Sequence, residues 1–391
     1  MFTTECSAKR NLYEIFETLK GKNKLERILH IVPNMAVGGL ETFIMNMYRN
    51  IDRNRFQFDF LVHYINRYAF DDEIENLGGY IYRMSVRDDN NIFKYIWQLH
   101  KFFSVHSEYK IIHAHMESLG MIFMFVAKWH GVKVRIAHSH NSKAEPTVKG
   151  KIKYLLSRMY SVYATELFAC SRVAGEYMFP NKKYTIINNA IDVKKFLFND
   201  KVRNEVRKEL KLSEKNLVIG IVGRFERQKN HDFALKVFKK VVTINQRAVL
   251  LLMGKGDLES DIRKKVEELH LGKSVKFLGV RSDMDRLYQA LDVFFMPSLF
   301  EGLPVAGIEA QASDLNCIFA DTVSQELKII PKVKYISLDD NIDVWVNAII
   351  NAKIENRKNR YSALEHAGYE VKVVARDLMN RYQELLKICT R

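Results

Sequence analysis

Cysteine is scarce in this sequence: there are four in 391 residues, at positions 6, 170, 317 and 389. They are far apart, form no Cys-x-x-Cys pair and have no histidine at zinc-finger spacing, which argues against a disulfide scaffold or a cysteine-based zinc module. The thiols are expected to be reduced and structural. Long apolar runs are also missing. The nearest to a membrane span, Met116 to Trp129, is interrupted by Glu117 and Lys128 and falls short of the about 18 apolar residues that a span needs. Residues 1–25 carry Glu5, Lys9, Arg10 and Glu14 with no apolar stretch ahead of small residues, so no secretory signal is expected and the expected location is cytoplasmic. Acidic side chains are the third shortage. Asp and Glu number 46 against 61 Lys and Arg, a formal charge of +15, which favours an acidic partner such as nucleic acid, anionic lipid or a nucleotide diphosphate. The excess is uneven: residues 1–100 carry 13 basic and 13 acidic side chains, residues 101–200 carry 15 and 7.

The apolar content, 47%, is enough to bury two domains of about 190 residues each. The stretch from Ser298 to Ala310 organises the chain. It follows Val293-Phe294-Phe295-Met296, a short continuous apolar run that reads as a buried parallel strand. Gly302 supplies a conformationally free position, and Pro304 is pre-set for a first helical turn, where its missing N–H costs nothing. Glu301 then lies in the loop, and Glu309 falls about a turn and a half into a helix whose N-terminus attracts anions. Carboxylates so placed suit paired hydroxyls of a nucleotide sugar. A solvated loop residue and a dipole-compensating one fit the same spacing.

A second strand and turn comes earlier, at Leu217-Val218-Ile219-Gly220-Ile221-Val222-Gly223-Arg224. Arg224 and Lys229 flank the entry to the next helix, one offering a bidentate fork and the other a point charge, and both suit a diphosphate. Near the start, the strand Arg27 to Val32 leads through Gly38-Gly39 into a helix, a place where backbone can approach a phosphate. Strand and helix alternate through Phe58–His63, Tyr80–Met84, Ile111–His115 and Val132–Ala137, which implies doubly wound parallel sheets of α/β class. His113, His115, His138 and His140 fall at strand ends, but no Cys or carboxylate is spaced to complete a metal site, and no metal is expected. Asp283-Met284-Asp285 precedes a helix and reads as dipole compensation. Between Lys149 and Tyr163 an apolar stripe, Ile152 to Val162, is flanked by Lys149, Lys151, Lys153 and Arg158. It reads equally as an interfacial helix or as a core helix with a solvated basic side.

Ser298 to Ala310 resembles the Glu-x7-Glu signature of the group 1 (family 4) retaining glycosyltransferases of GT-B fold, as found in bacterial polysaccharide biosynthesis. The Gly-Arg-x5-Lys segment at Gly223 to Lys229 and Asn189-Ala190-Ile191-Asp192 resemble further family motifs. The resemblance implies two Rossmann-like domains facing a cleft: an acceptor-side domain, 1–195, with 1–24 as an appendage; a donor-binding domain, 196–370; and a helix, 371–391, returning to the first domain. It implies a donor site made of Gly39, Arg224, Lys229, Gly279, Glu301, Gly302, Leu303 and Glu309, with Glu301 on the donor sugar and Glu309 on the ribose. It makes His138 a catalytic residue beside Glu301, Arg224 and Lys229, with His140 as the alternative.

The function implied is transfer of a sugar from a nucleotide diphosphate sugar, UDP foremost, to a hydroxyl of a lipid-linked surface or capsular polysaccharide. No metal or other cofactor is implied. An anionic membrane surface would be met through Lys149, Lys151, Lys153 and Arg158, which would make the enzyme peripheral on the inner face of the membrane. The sequence departs from the family at Ser313 to Asn316, where Gly and Pro are usual; Asp314 or Asn316 can still make that turn. A catalytically silent homologue acting as a subunit is the other reading. A nucleic-acid binder is not expected, since basic and aromatic residues do not interleave in a recognition pattern.

Overall fold

The computed structural model describes residues 25–116, 119–140, 159–352 and 356–389. Lys149, Lys151, Lys153 and Arg158 lie outside the described residues, as does the N-terminal appendage. Thirteen strands are described, and they form two sheets.

In the first sheet, β1 (Glu26–Val32), β2 (Phe56–Val62), β3 (Ile81–Arg83), β4 (Ile111–Ala114), β5 (Val134–Ser139), β6 (Glu166–Ala169) and β7 (Thr185–Ile186) lie in the order β3-β2-β1-β4-β5-β6-β7. The pairs from β3 through β5 are parallel. In the second, β8 (Leu217–Val222), β9 (Ala248–Met253), β10 (Val275–Gly279), β11 (Val293–Met296), β12 (Asn316–Ala320) and β13 (Val333–Ile336) lie in the order β10-β9-β8-β11-β12-β13. Every pair in it is parallel.

The strands read as continuous apolar runs because helices cover both faces: all seven residues of β2 and all six of β9 are buried. In each sheet the chain moves outward on one side of its first strand, then returns to build the other side. The reversal lies between β1 and β4 in one sheet and between β8 and β11 in the other. Ligands of open α/β sheets bind outside the strand ends at such a reversal.

Contacts divide the chain into two units. One comprises residues 1–139, 146–168 and 375–391, the other 140–145 and 169–374. The crossing at 168/169 precedes the 195/196 boundary read from the sequence, because residues 172–193 are tied into the second unit. The backbone N–H groups of Arg172 and Val173 donate to the Glu326 carboxylate at 3.2 Å each, Asn189 Nδ2 donates to Leu303 O at 3.1 Å, and Ile191 N–H donates to Tyr369 O at 3.0 Å.

Three local features differ from or sharpen the sequence reading. The helix after β11 begins at Val305 with Pro304 as its cap, and Gly302 does not take a positive φ. The apolar run around Met116 becomes a ten-residue helix, Gly120–Trp129, packed in the first unit. In the departing turn Asp314 takes the left-handed conformation, φ 51°, while Asn316 opens β12. Asp314 also accepts from Lys332 Nζ at 3.0 Å, Arg360 Nε at 2.7 Å and Lys358 N at 2.7 Å. The residue that replaces the expected glycine is therefore held by three donors.

Candidate active site

The two loops at the reversal of the second sheet carry the expected donor residues. After β8, Gly223 turns the chain at φ 152°, and a Cβ there would lie 2.7 Å from Lys229 Cε. Only glycine lets the lysine lie along the strand end. Gly254 closes β9 at φ 151°, with space for a Cβ denied by Gly223 O at 2.0 Å. Its N–H donates to O of Gly279, the last residue of β10, at 2.9 Å. Three glycines thus line the ends of three adjacent strands.

The loop after β8 then makes one 3-10 turn, Arg227–Lys229, and Asn230, left-handed at φ 55°, starts the helix His231–Ile244. It is stitched to the loop after β11: Leu299 N–H donates to Gln228 O at 2.8 Å, Gln228 Nε2 to Phe300 O at 2.9 Å, and Asn230 Nδ2 to Pro297 O at 3.1 Å.

This stitching sets Lys229 Nζ against Glu301 Oε1 as an ion pair with side chains only 18% and 9% exposed. Arg224 behaves differently. Its side chain is 67% exposed and pairs at 3.1 Å with Glu226, so the two cations expected to act alike are one shielded and one free to swing. Leu303 contributes backbone rather than side chain: the latter is buried, and its carbonyl accepts from Asn189.

Glu309 is the fifth residue of the helix Val305–Ala312 and accepts a hydrogen bond from Tyr288 Oη at 2.9 Å. Burial pushes its carboxyl up to about 7, against the downward pull of the Tyr288 hydrogen bond and of Lys195. A cation and a loop carboxylate therefore meet at the strand-end junction, and the helix that follows carries a second carboxylate in its second turn. That set can hold a diphosphate between two groups of hydroxyls. Asp283, by contrast, is engaged by Arg281 at 2.6 Å, as a structural residue would be.

In the first unit Gly39 opens the helix Gly39–Asn50, and a Cβ on it would meet nothing within 4 Å. At Gly38, whose backbone is extended at φ −156°, a Cβ would lie 2.4 Å from Glu41 Oε2, the movable tip of a side chain, so the turn demands neither glycine. His138, near the end of β5, is fully buried, and His140 follows it, partly exposed, with its imidazole pushed down to about 3 by burial.

The surroundings of His138 were not legible in the sequence. Its Nδ1 lies 3.0 Å from His113 Nε2, and His113 Nδ1 lies 2.6 Å from Tyr382 Oη. His30 Nδ1 lies 3.0 Å from His115 Nε2. Within each histidine pair the ring planes are almost parallel, at 12° and 9°. His30, His113 and His115 bring one ring nitrogen each within 4.8 Å of one another, so β1 adds a histidine to the strand-end set read from the sequence. Burial pushes His30 down to about 3, which keeps it neutral.

Tyr382 Oη is buried and has one proton to place, and His113 Nδ1 is its partner. If the hydroxyl donates there, the His113 proton sits on Nε2, which donates to His138 Nδ1 and leaves the His138 proton on Nε2. Tyr382→Phe removes the first link. It is expected to cost about 1–3 kcal/mol of stability, read by urea denaturation, by leaving a buried acceptor unsatisfied. It is also expected to mix the two His138 tautomers, read from ring nitrogen chemical shifts. Unchanged shifts would mean that the tyrosine does not set the tautomer.

Comparison with known proteins bears on the family and the fold. Residues 202–371 match the family described as Glycosyl transferases group 1, and residues 37–195 match Glycosyltransferase Family 4. The chain is 32% identical over 369 residues to a protein of Bacillus subtilis (strain 168) that carries the name glycosyltransferase EpsF, covering 91% of this chain and 96% of that one. It is 27% identical over 257 residues, 62% of this chain and 66% of the relative, to the UDP-Gal:alpha-D-GlcNAc-diphosphoundecaprenol alpha-1,3-galactosyltransferase of Escherichia coli. The solved structure of Anabaena Alr3699/HepE in complex with UDP and glucose shares the fold, with a TM-score of 0.75 at 16% identity over 91% of this chain and 99% of that one. With both halves matched and the strand-end residues in place, the chain belongs to the group 1 glycosyltransferases, enzymes of GT-B fold.

Proposed function

We propose that this enzyme moves a sugar from a UDP-sugar, with retention at the anomeric carbon, to a hydroxyl of a lipid-linked acceptor in the assembly of a surface or capsular polysaccharide. The observation that carries the reading is the Lys229–Glu301 pair held at the β8/β11 reversal, with Glu309 in the helix that follows. As the bond between the anomeric carbon and the phosphate oxygen breaks, negative charge grows on the diphosphate. Lys229, Arg224 and the N-terminus of Val305–Ala312 oppose that charge. Glu301 accepts hydrogen bonds from the sugar and Glu309 from the ribose. Because protein cations carry this load, turnover is proposed to persist in a chelator. UDP as the nucleotide of the donor and a diphospholipid acceptor are supported by the names of the Escherichia coli relative and of the Anabaena structure. Action at the inner face of the cell membrane follows from such an acceptor.

The test is hydrolysis and transfer with UDP-, GDP- and ADP-sugars, with the anomeric configuration of the product read by NMR. Within it, Glu301→Ala is expected to leave the Kd for UDP within about threefold while raising that for the intact UDP-sugar tenfold or more, as for loss of charge-assisted hydrogen bonds. Equal loss for both ligands would remove Glu301 from the sugar subsite. A silent homologue would bind UDP and turn over no donor in any arm.

A further inference from the structure

We propose that an exposed aromatic and basic face of the first unit, built on the helices Ile92–Val105 and Gly120–Trp129, docks the enzyme on an anionic lipid surface. The proposal rests on the lipid-linked acceptor reading above and gives it a place on the chain. The protein has three tryptophans. Trp345 is fully buried, whereas Trp97 and Trp129 are 62% and 71% exposed, and both lie on this face.

On the first helix, Phe93, Trp97 and Lys101 follow one another at intervals of four and form one outward stripe, with Phe93 82% exposed. This helix already has a core side, made by Tyr95, Leu99, Phe102 and Phe103. The aromatic stripe is therefore a second apolar face, which the packing of the unit does not use. His100, one turn from Trp97, meets Trp129 edge-on at 6.1 Å. Trp129 meets Phe125 at 6.0 Å, and Phe125 meets Tyr163 at 5.3 Å, which joins the two helices and the following turn into one surface. Val162, 57% exposed, extends it.

Charge selects the occupant. Lys101 Nζ lies 5.4 Å from the Trp97 ring centre and Lys128 Nζ 5.5 Å from that of Tyr163; among the described residues neither pairs with a carboxylate. Lys94 on the same helix is held by Asp89 at 2.7 Å and contributes less. Large amphipathic rings flanked by lysines match the boundary of a bilayer, where the rings sit at headgroup level and the ammonium groups meet phosphates. Each lysine near an anionic leaflet strengthens partitioning about fivefold.

The experiment uses the full-length protein with vesicles of phosphatidylglycerol and phosphatidylcholine, read by sedimentation and by quenching of tryptophan fluorescence with brominated lipid. Wild type is expected to sediment with phosphatidylglycerol vesicles and to be quenched. The triple variant Phe93→Ser, Trp97→Ser, Trp129→Ser is expected to lose at least tenfold in binding and to leave only unquenched Trp345. Lys101→Glu with Lys128→Glu is expected to lose phosphatidylglycerol selectivity at low salt. All are expected to bind UDP as wild type does by calorimetry, since none of these residues belongs to the donor site. A triple variant that sediments like wild type would overturn the proposal. So would loss of quenching in a variant with Lys149, Lys151, Lys153 and Arg158 changed to Glu while the triple variant stays bound, or a wild-type dimer that the triple substitution makes monomeric. If vesicle binding is lost as expected but no donor sugar is turned over by any form, the docking face stands and the transfer reading fails.

Discussion

Lys229→Ala is expected to lower turnover by about two to three orders of magnitude, roughly 3–4 kcal/mol of transition-state stabilisation. Arg224→Ala is expected to lower it less. Lys229 is shielded and bonded to Glu301, so its removal takes one positive charge from the departing diphosphate and leaves a shielded carboxylate uncompensated beside it. Arg224 is exposed and leaves no stranded partner, since Glu226 is open to solvent. The distinguishing measurement is the double variant Lys229→Ala, Glu301→Gln in a single-turnover assay. Removing the stranded charge is expected to recover about tenfold of the loss, a non-additivity that groups in one ion pair show. Strictly additive losses would mean that the pair does not act as a unit, and near wild-type turnover without Lys229 would end its assignment to the diphosphate.

Glu309→Gln is expected to weaken UDP binding by tenfold or more at pH 8 and, at the same pH, to make the protein more stable. The carboxyl ordinarily titrates at 4.5 and is pushed to about 7 in the folded chain. Between those values the folded state holds a proton that the unfolded state has released, so its contribution to stability falls as pH rises through this window and is lowest above 7. The full difference corresponds to roughly 3 kcal/mol, of which about 1–2 is expected after partial exposure is allowed for. Thermal melts should therefore show the variant above wild type at pH 8 and level with it near pH 4.5. Calorimetry should show wild-type UDP affinity falling below pH 7, as the ribose acceptor is protonated, and that of the variant flat. A variant less stable than wild type at pH 8 would show that the Tyr288 hydrogen bond outweighs the desolvation.

The strands that frame both reversals were legible because burial on two faces leaves uninterrupted apolar runs; Val293–Met296 and Ala248–Met253 needed no further information. The side chains of Glu301, Glu309, Arg224 and Lys229 were legible because loop and helix positions follow from spacing within a dozen residues. Pairing at a distance was not. Lys229 and Glu301 meet across 72 positions and His113 and Tyr382 across 269, and nothing local in either segment encodes the partner. His30 carries no local signal because one polar residue in an apolar strand reads as a tolerated interruption; its meaning depends on β4 lying alongside, at the register that sets it opposite His113. β12 is not legible locally because it starts with Asn316 directly after a turn, and Asn signals loop rather than strand. The exposure of the aromatic stripe on Ile92–Val105 is not legible in the sequence, since periodicity shows that a face is apolar without showing which apolar face is covered.

The first unit is assembled from segments that lie before and after the main body of the second in the chain. Residues 375–391 supply Tyr382, fully buried against Phe56 and Phe58 at 5.9 and 6.3 Å, together with Met379, Leu385 and the hydrogen bond to His113. A ribosome makes these residues after the whole of the second unit. Until they emerge, the first sheet is complete but its packing is not, and an imidazole row at its strand ends lacks the hydroxyl that orders it. The unit that begins synthesis therefore cannot finish folding before the other has been made. A chain that stops short of Ala375 would retain the residues of the donor site while leaving a hole where the tyrosine belongs.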